Sequence, residues 1–285
     1  MNNRLVNLLE FEKYPKIPYV DNSSNLYGKE VYIFEKIDGS LSQIRRTNEG
    51  IFGGSKANYI TGSTKRPEWG SKFLKWMHSN PSLYNLKPGT IMFGEWLDPV
   101  TIDYDEEFYD NFYFLDLAII DGGNIVFYDY YESLNYLDKW GIKNVNTLPV
   151  IAKKYFDESV ARDIVMNQPS YLRTEKRDSE GNLINCELEG VVLKNYRLQS
   201  FAKYLHPKYS EIRAQEKELD KKYLTDLRVK KAVRRLKDHG FKDPSLEELV
   251  YEVIQDIRSE TGVSFSRSAV KGAIRARSLY HNKDH

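Results

Sequence analysis

The chain has little cysteine, little histidine and no long apolar run, and each shortage removes a class of protein. Cys186 is the only cysteine in 285 residues, so no internal disulfide can form. The five histidines are scattered, and no Cys/His cluster has the spacing of zinc ligands. Nowhere does the sequence approach the roughly 20 apolar residues that a membrane-spanning helix needs. At the N-terminus, MNNRLVNLLEFEKYPKIP interrupts any apolar core with acids and prolines, unlike a secretory signal. These absences lead us to expect a soluble protein of a reducing compartment, the cytoplasm, with no membrane partner; they leave its oligomeric state open. Charge of one sign is also lacking, because the net value is only +1. The excess is local: from Tyr209 onward there are 17 Lys and Arg against 13 Asp and Glu. A mildly acidic body with a basic tail fits an enzyme that grips phosphates at chosen places.

What is present is enough apolar material for a sizeable core, 41% of residues, with 21 tyrosines. Tyrosine suits half-buried strands and polar grooves. Lys29 to Ile37 (KEVYIFEKI) is β-branched and aromatic, and predicts a strand. A second strand runs from Ser40 to Arg46, after Asp38-Gly39. Phe112 to Ile120 and Asn124 to Tyr130 flank Asp121-Gly122-Gly123, a hairpin signal. Glu187 to Lys194 reads as another strand, and Glu68 to His78 and Tyr131 to Trp140 as helices. Short turns join strands as often as helices do, which favours an α+β fold over a doubly wound parallel sheet. Beyond about residue 210 the pattern turns helical. Ile212 to His239 reads as one long charged helix stopped by Gly240. Asp243-Pro244 reads as the start of the next, with an apolar stripe from Leu246 to Ile257 and an end at Gly262. Ser266 opens a last helix with Arg267, Lys271 and Arg275 along one face. We therefore divide the chain into residues 1–210 and a small all-helical domain, 211–285.

The chemistry centres on Lys36-Ile37-Asp38-Gly39-Ser40 at the end of a strand. Alone, such a lysine reads as a solvated strand end. It is followed in order by Phe93-Gly94-Glu95-Trp96, Phe112-Tyr113-Phe114-Leu115-Asp116, Glu189-Gly190-Val191-Val192-Leu193-Lys194, and then Lys203 and Lys208. That ordered set resembles the covalent nucleotidyltransferase superfamily of ATP-dependent ligases and mRNA capping enzymes, over residues 30 to 210. The resemblance implies a nucleotidyltransferase (ATP-grasp-like ligase) domain of antiparallel sheets with flanking helices. It implies that Lys36 is the nucleophile that carries AMP, with Asp38, Lys194 and Lys203 as further catalytic residues. Glu35, Ile37, Lys56, Glu95, Leu115, Val192 and Lys208 would bind the nucleotide, Glu95 at the ribose and, on the adenine faces, Val192 with either Leu115 or, in a register shifted by one, one of the adjacent aromatics Phe114 and Tyr113. Glu189 would hold the metal. ATP and Mg2+ (or Mn2+) are the implied cofactors. An amine must be neutral to attack phosphorus, and free lysine titrates near 10.4. Neighbouring cations, here Lys194, Lys203 and the metal, would lower that value and neutralise charge on the departing pyrophosphate.

Two departures from the family pattern stand out. Lys56 occupies the place where these ligases usually carry a phosphate-binding arginine, keeping the charge and losing the bidentate fork. Lys203-Tyr204-Leu205 breaks the usual pair of lysines separated by one residue. The form Lys-x-Asp-Gly-Ser-Leu, with Leu41 where DNA ligases carry arginine, looks like the phage-type RNA ligases, which also have small helical C-terminal domains. The implied reaction joins RNA 5′-phosphate and 3′-hydroxyl ends through lysyl-AMP and adenylylated RNA. A DNA or mixed nick ligase, a capping guanylyltransferase and a non-catalytic RNA-binding module with this fold are the alternatives. Arg234, Arg235, Lys237 and the Arg267/Lys271/Arg275 stripe read either as an RNA-tracking surface or as a solubilising face. The acidic run Asp103 to Asp110 reads most simply as a solvated loop.

Overall fold

A computed structural model of the chain describes residues 11–20, 24–60, 68–98 and 102–276. Among the described residues ten strands form two sheets, and the alternation of large apolar side chains decides which faces meet. The first sheet is antiparallel, built from β1 (Glu30–Glu35), β8 (Val150–Tyr155), β9 (Gly190–Asn195) and β10 (Ser200–Leu205) in the order β10-β9-β1-β8. The second comprises β2 (Ser40–Thr47), β3 (Gly50–Ser55), β4 (Thr90–Leu97), β5 (Asn111–Asp121) and β6 (Asn124–Phe127) in the order β3-β2-β4-β5-β6, with β7 (Asn146–Thr147) parallel to β5. The hairpin expected at Asp121-Gly122-Gly123 joins β5 to β6, with both glycines at positive φ. The α+β class with antiparallel sheets and flanking helices is as expected.

Flanking the sheets are the helices α1 (Glu68–Ser79), α2 (Tyr130–Lys139) and α3 (Glu158–Asn167). One core joins Tyr32, Phe34 and Phe201 of the first sheet to Phe93, Phe114 and Leu117 of the second and to Phe73 and Met77 of α1. A second core lies on the other face of β1 and β9, where Val31, Ile33, Val191 and Leu193 meet Ala161, Ile164 and Val165 of α3. β1 is thus covered on both sides. That explains its unbroken apolar run, and it fixes the direction in which its C-terminal lysine emerges.

A second compact unit contains Ile102, Asp103 and the described residues from His206 onward. Its helices are α4 (Pro207–Lys222), α5 (Asp226–Asp238), α6 (Leu246–Thr261) and α7 (Arg267–Ala276). The single helix expected over Ile212 to His239 is two. Thr225 caps a new start by accepting from the Arg228 N–H, and Leu224 is buried at the break. The start expected at Asp243-Pro244 lies instead at Ser245, which forms a capping box with Glu248. Gly262, left-handed at φ 72°, ends α6 as expected. Among the described residues, no helix is long and apolar enough to cross a membrane.

Candidate active site

The end of β1 carries the site. The Lys36 N–H donates to the Gly190 carbonyl at 2.9 Å, extending the β1–β9 ladder by one rung. Its side chain, 21% exposed, reaches the Glu189 carboxylate at 2.7 Å, and that carboxylate is fully buried. Gly39 and Gly190 are required here by close approach. A Cβ on Gly39 would stand 2.5 Å from the Trp96 carbonyl oxygen, and one on Gly190 would stand 2.3 Å from that of Tyr204. Both obstacles are backbone, which yields little. Gly190→Ala is expected to lower stability by at least about 2 kcal/mol, read as the urea midpoint followed by tryptophan fluorescence.

Around Lys36 the charges are acidic. Burial pushes the Glu95 carboxyl up to about 8, with Asp38 and Glu189 adding to the rise while Lys36 and the Gly39 N–H oppose it. Glu95 lies directly across from Leu41 on β2 and shares its face. Asp38 is buried, and its N–H donates to the Tyr104 hydroxyl at 2.8 Å. Ile37 is buried, with its carbonyl 3.3 Å from the Lys36 amine. Lys194, expected as a neighbouring cation, is held in an ion pair. Its ammonium is buried, bonded to Asp116 at 2.7 Å and to the Leu115 carbonyl at 3.0 Å. Burial pulls its pKa down and Asp116 partly restores it. Tyr14 and Tyr196 also donate to the Asp116 carboxylate. An ammonium neutralised in this way has little field left to act on Lys36.

Beside this network lies an apolar pocket between the two sheets. Phe34, Val192 and Lys194 line it from the first, and Phe114 and Leu115 from the second. Val192 sits opposite Phe34 on one side and Lys203 on the other. Leu115 reaches the pocket through a β-bulge: Phe93 pairs with Asp116 and Gly94 with Phe114, leaving Leu115 as the extra residue. Glu35 contributes to the pocket wall, but its carboxylate accepts from the Ser170 hydroxyl and from the Tyr171 N–H at 2.9 Å. Burial raises Glu35 to about 7 against these two bonds.

The lysines expected on phosphate lie on different elements of the chain. The Lys203 ammonium lies 4.7 Å over the Tyr19 ring. Lys56 is exposed in the turn after β3, one residue beyond Ser55, which pairs with Ser42 near the start of β2. Lys208 belongs to the second unit, in the first turn of α4. The run Asp103 to Asp110 is more than a solvated loop. Tyr104 is buried against Asp38, Asp105 accepts from the Thr174 N–H and hydroxyl, and Asp110 pairs with Lys72. Tyr104, Phe108 and Tyr109 among those acids were the available signal of burial.

The sequence profile of the RNA ligase family matches residues 29–205, well over half the chain. No curated protein matches by sequence. Among solved structures, a Naegleria gruberi RNA ligase in a lysine-to-methionine variant with AMP and manganese is similar at 16% identity, TM-score 0.52, covering 70% of this chain and 57% of that one. A lysine-to-alanine variant of the same ligase, with ATP and manganese, gives 16% identity and TM-score 0.51, covering 70% and 58%. This chain therefore spans somewhat over half the length of those proteins, and at such identity the likeness speaks for the fold. The profile match takes in the lysine, both glutamates and the pocket strands together, and on that match the chain belongs to the RNA ligase family.

Proposed function

We propose that this chain is an ATP-dependent RNA ligase of the phage type, joining 5′-phosphate and 3′-hydroxyl RNA ends through lysyl-AMP and adenylylated RNA. The observation that carries the reading is the Lys36 amine, partly exposed, 2.7 Å from the buried Glu189 and one residue beyond the pocket wall. A binding module has no need of a nucleophile so placed. Val192 and Leu115, which both line the pocket, suit the two faces of adenine. Glu95, raised to about 8, is largely protonated near neutrality and can donate as well as accept at a ribose oxygen.

In the first step the Lys36 lone pair attacks the α-phosphorus of ATP. A P–N bond forms, the bond to pyrophosphate breaks, and the amine loses a proton. An oxygen of the RNA 5′-phosphate then displaces Lys36 from the AMP, and the amine regains a proton. Finally the 3′-hydroxyl oxygen attacks the 5′-phosphorus, AMP departs, and the alcohol proton is lost. Each is an in-line transfer, so one rigid strand end serves all three. The donor set fits magnesium or manganese. Among the described residues no three acidic, histidine or cysteine side chains converge as a metal site, and such ions commonly take one or two carboxylates plus substrate phosphates. Glu189 would hold the ion, which when bound draws negative charge off the phosphates. On this reading residues 1–210 form the adenylylation domain and 211–285 a helical C-terminal domain.

The test is the intact mass of the purified protein with and without ATP and magnesium. A gain of one AMP is expected, and a protein that gains nothing overturns the reading. Joining of 5′-phosphorylated strands with RNA or DNA on the 3′-hydroxyl side then fixes the polymer, because the 2′-hydroxyl distinguishes them.

A further inference from the structure

Several basic residues of the second unit are paired with acids. Arg228 is bonded to Glu260 and lies 3.4 Å from Asp256. Arg235 is bonded to Asp256 and lies 3.6 Å from Glu252. Lys271 meets Glu247 and Asp103, and Arg275 meets Asp103. Much of the stripe that the sequence offered as an RNA-tracking surface is therefore committed to acids of its own unit. Lys230, Lys231, Arg234 and Lys237 are different. All four are exposed, and none has an acidic partner among the described side chains.

Their placement follows from the helix. α5 buries Val229, Ala232 and Leu236, so the 3.6-residue period carries Lys230, Arg234 and Lys237 in a row along the opposite face, with Lys231 beside them. The row covers two turns, about 10 Å. The acids of α5 lie only at its ends, Asp226 in the first turn and Asp238 in the last. Like charges one turn apart repel each other and weaken the helix. A merely solubilising face would intersperse acids, as α4 does along its length. An uncompensated row of cations is complementary to a repeating anion.

We propose that this face of α5 binds the phosphate backbone of the RNA substrate. The proposal rests on the ligase reading above for the identity of the polyanion. It does not rest on it for the surface.

The test uses the full chain with Lys230→Gln, Lys231→Gln, Arg234→Gln and Lys237→Gln. Glutamine keeps helix propensity, and the four side chains are exposed, so the fold should be little affected. A charge-matched control carries Lys75→Gln, Lys139→Gln, Lys143→Gln and Lys154→Gln, all exposed in the first unit. Binding of 5′-phosphorylated single-stranded RNA is measured across a salt series, alongside labelling of the protein by ATP. The α5 variant is expected to bind RNA at least tenfold more weakly near physiological salt. Its slope of log affinity against log salt should shrink by roughly 0.7 for each phosphate that the protein no longer neutralises. Labelling by ATP should be unchanged, and the control should bind as the unaltered protein does. Unaltered affinity and slope in the α5 variant would overturn the proposal, as would an equal weakening in the control. Retained RNA binding with abolished binding to phosphatidylserine vesicles would assign the face to a membrane instead. An unaltered protein that takes no label from ATP sinks the ligase reading by itself, while the RNA comparison still decides the surface.

Discussion

Replacing Lys36 by methionine is expected to leave a folded protein that takes no label from α-labelled ATP and is less stable by about 1–3 kcal/mol. The two effects have separate causes. Label is lost because the atom that would bond to phosphorus is gone. Stability falls because Glu189, fully buried, no longer has the cation that stood 2.7 Å away. The penalty stays below that of a wholly buried pair because Lys36 keeps 21% of its side chain in water.

Two further variants separate charge from chemistry. Lys36→Met combined with Glu189→Gln removes both members of the pair, so most of the stability should return while labelling stays absent. Lys36→Arg keeps a cation near Glu189, but a guanidinium stays protonated and cannot attack, so stability should hold and labelling should vanish. Urea denaturation gives the first quantity and autoradiography of the protein the second. If the methionine or the arginine variant still acquires label, the nucleophile lies elsewhere. If the double variant is no more stable than Lys36→Met, the pairing of Lys36 with Glu189 does not support the fold.

How far the sequence could reach is clear from particular residues. The strand ending at Lys36 was legible because β-branched and aromatic residues fill it and Asp38-Gly39 stops it. The family motifs were legible because their glycines stand beside their chemistry, for the reason now visible at Gly39 and Gly190: backbone from a distant strand passes too close for a Cβ. β3 was not read, because its three glycines carry little strand propensity. The break at Tyr223–Thr225 was hidden inside a charged stretch with no glycine or proline to mark it. Other features are set by partners far along the chain. Leu115 gains its bulge from the pairing of Gly94 with Phe114, and Tyr104 finds Asp38 across 66 residues. The ion pair of Lys194 with Asp116 was hidden in the same way, because no local pattern announces a partner 78 residues away. Leu41 is the converse case: it looked like a mere marker of ligase type, yet it faces Glu95 directly.

Glu95→Gln is expected to stabilise the protein by an amount that grows with pH, reaching on the order of 2–4 kcal/mol above pH 8. Burial pushes this carboxyl from 4.5 up to about 8. Between those values the folded protein holds a proton that the unfolded chain has released, so the carboxyl's contribution to stability is lost as pH rises through that window. Below about pH 4.5 both states are protonated, and glutamine is a neutral isostere that still accepts from Gly39, so the variant and the parent should agree there. Glu35 and Asp98, raised by burial to about 7 and 6, tilt the parent's curve in the same direction. They are present in both proteins, so the difference between the two curves isolates Glu95. All four tryptophans (Trp69, Trp76, Trp96 and Trp140) lie in the first unit, so their fluorescence reports the unit in question. Labelling by ATP should fall in the same variant, because the carboxyl that costs stability at neutral pH is the one proposed for the ribose. A stability difference that does not change with pH would mean that the carboxyl is not held as described. A variant that gains stability with labelling intact would remove Glu95 from the nucleotide site and leave it as buried strain without a use.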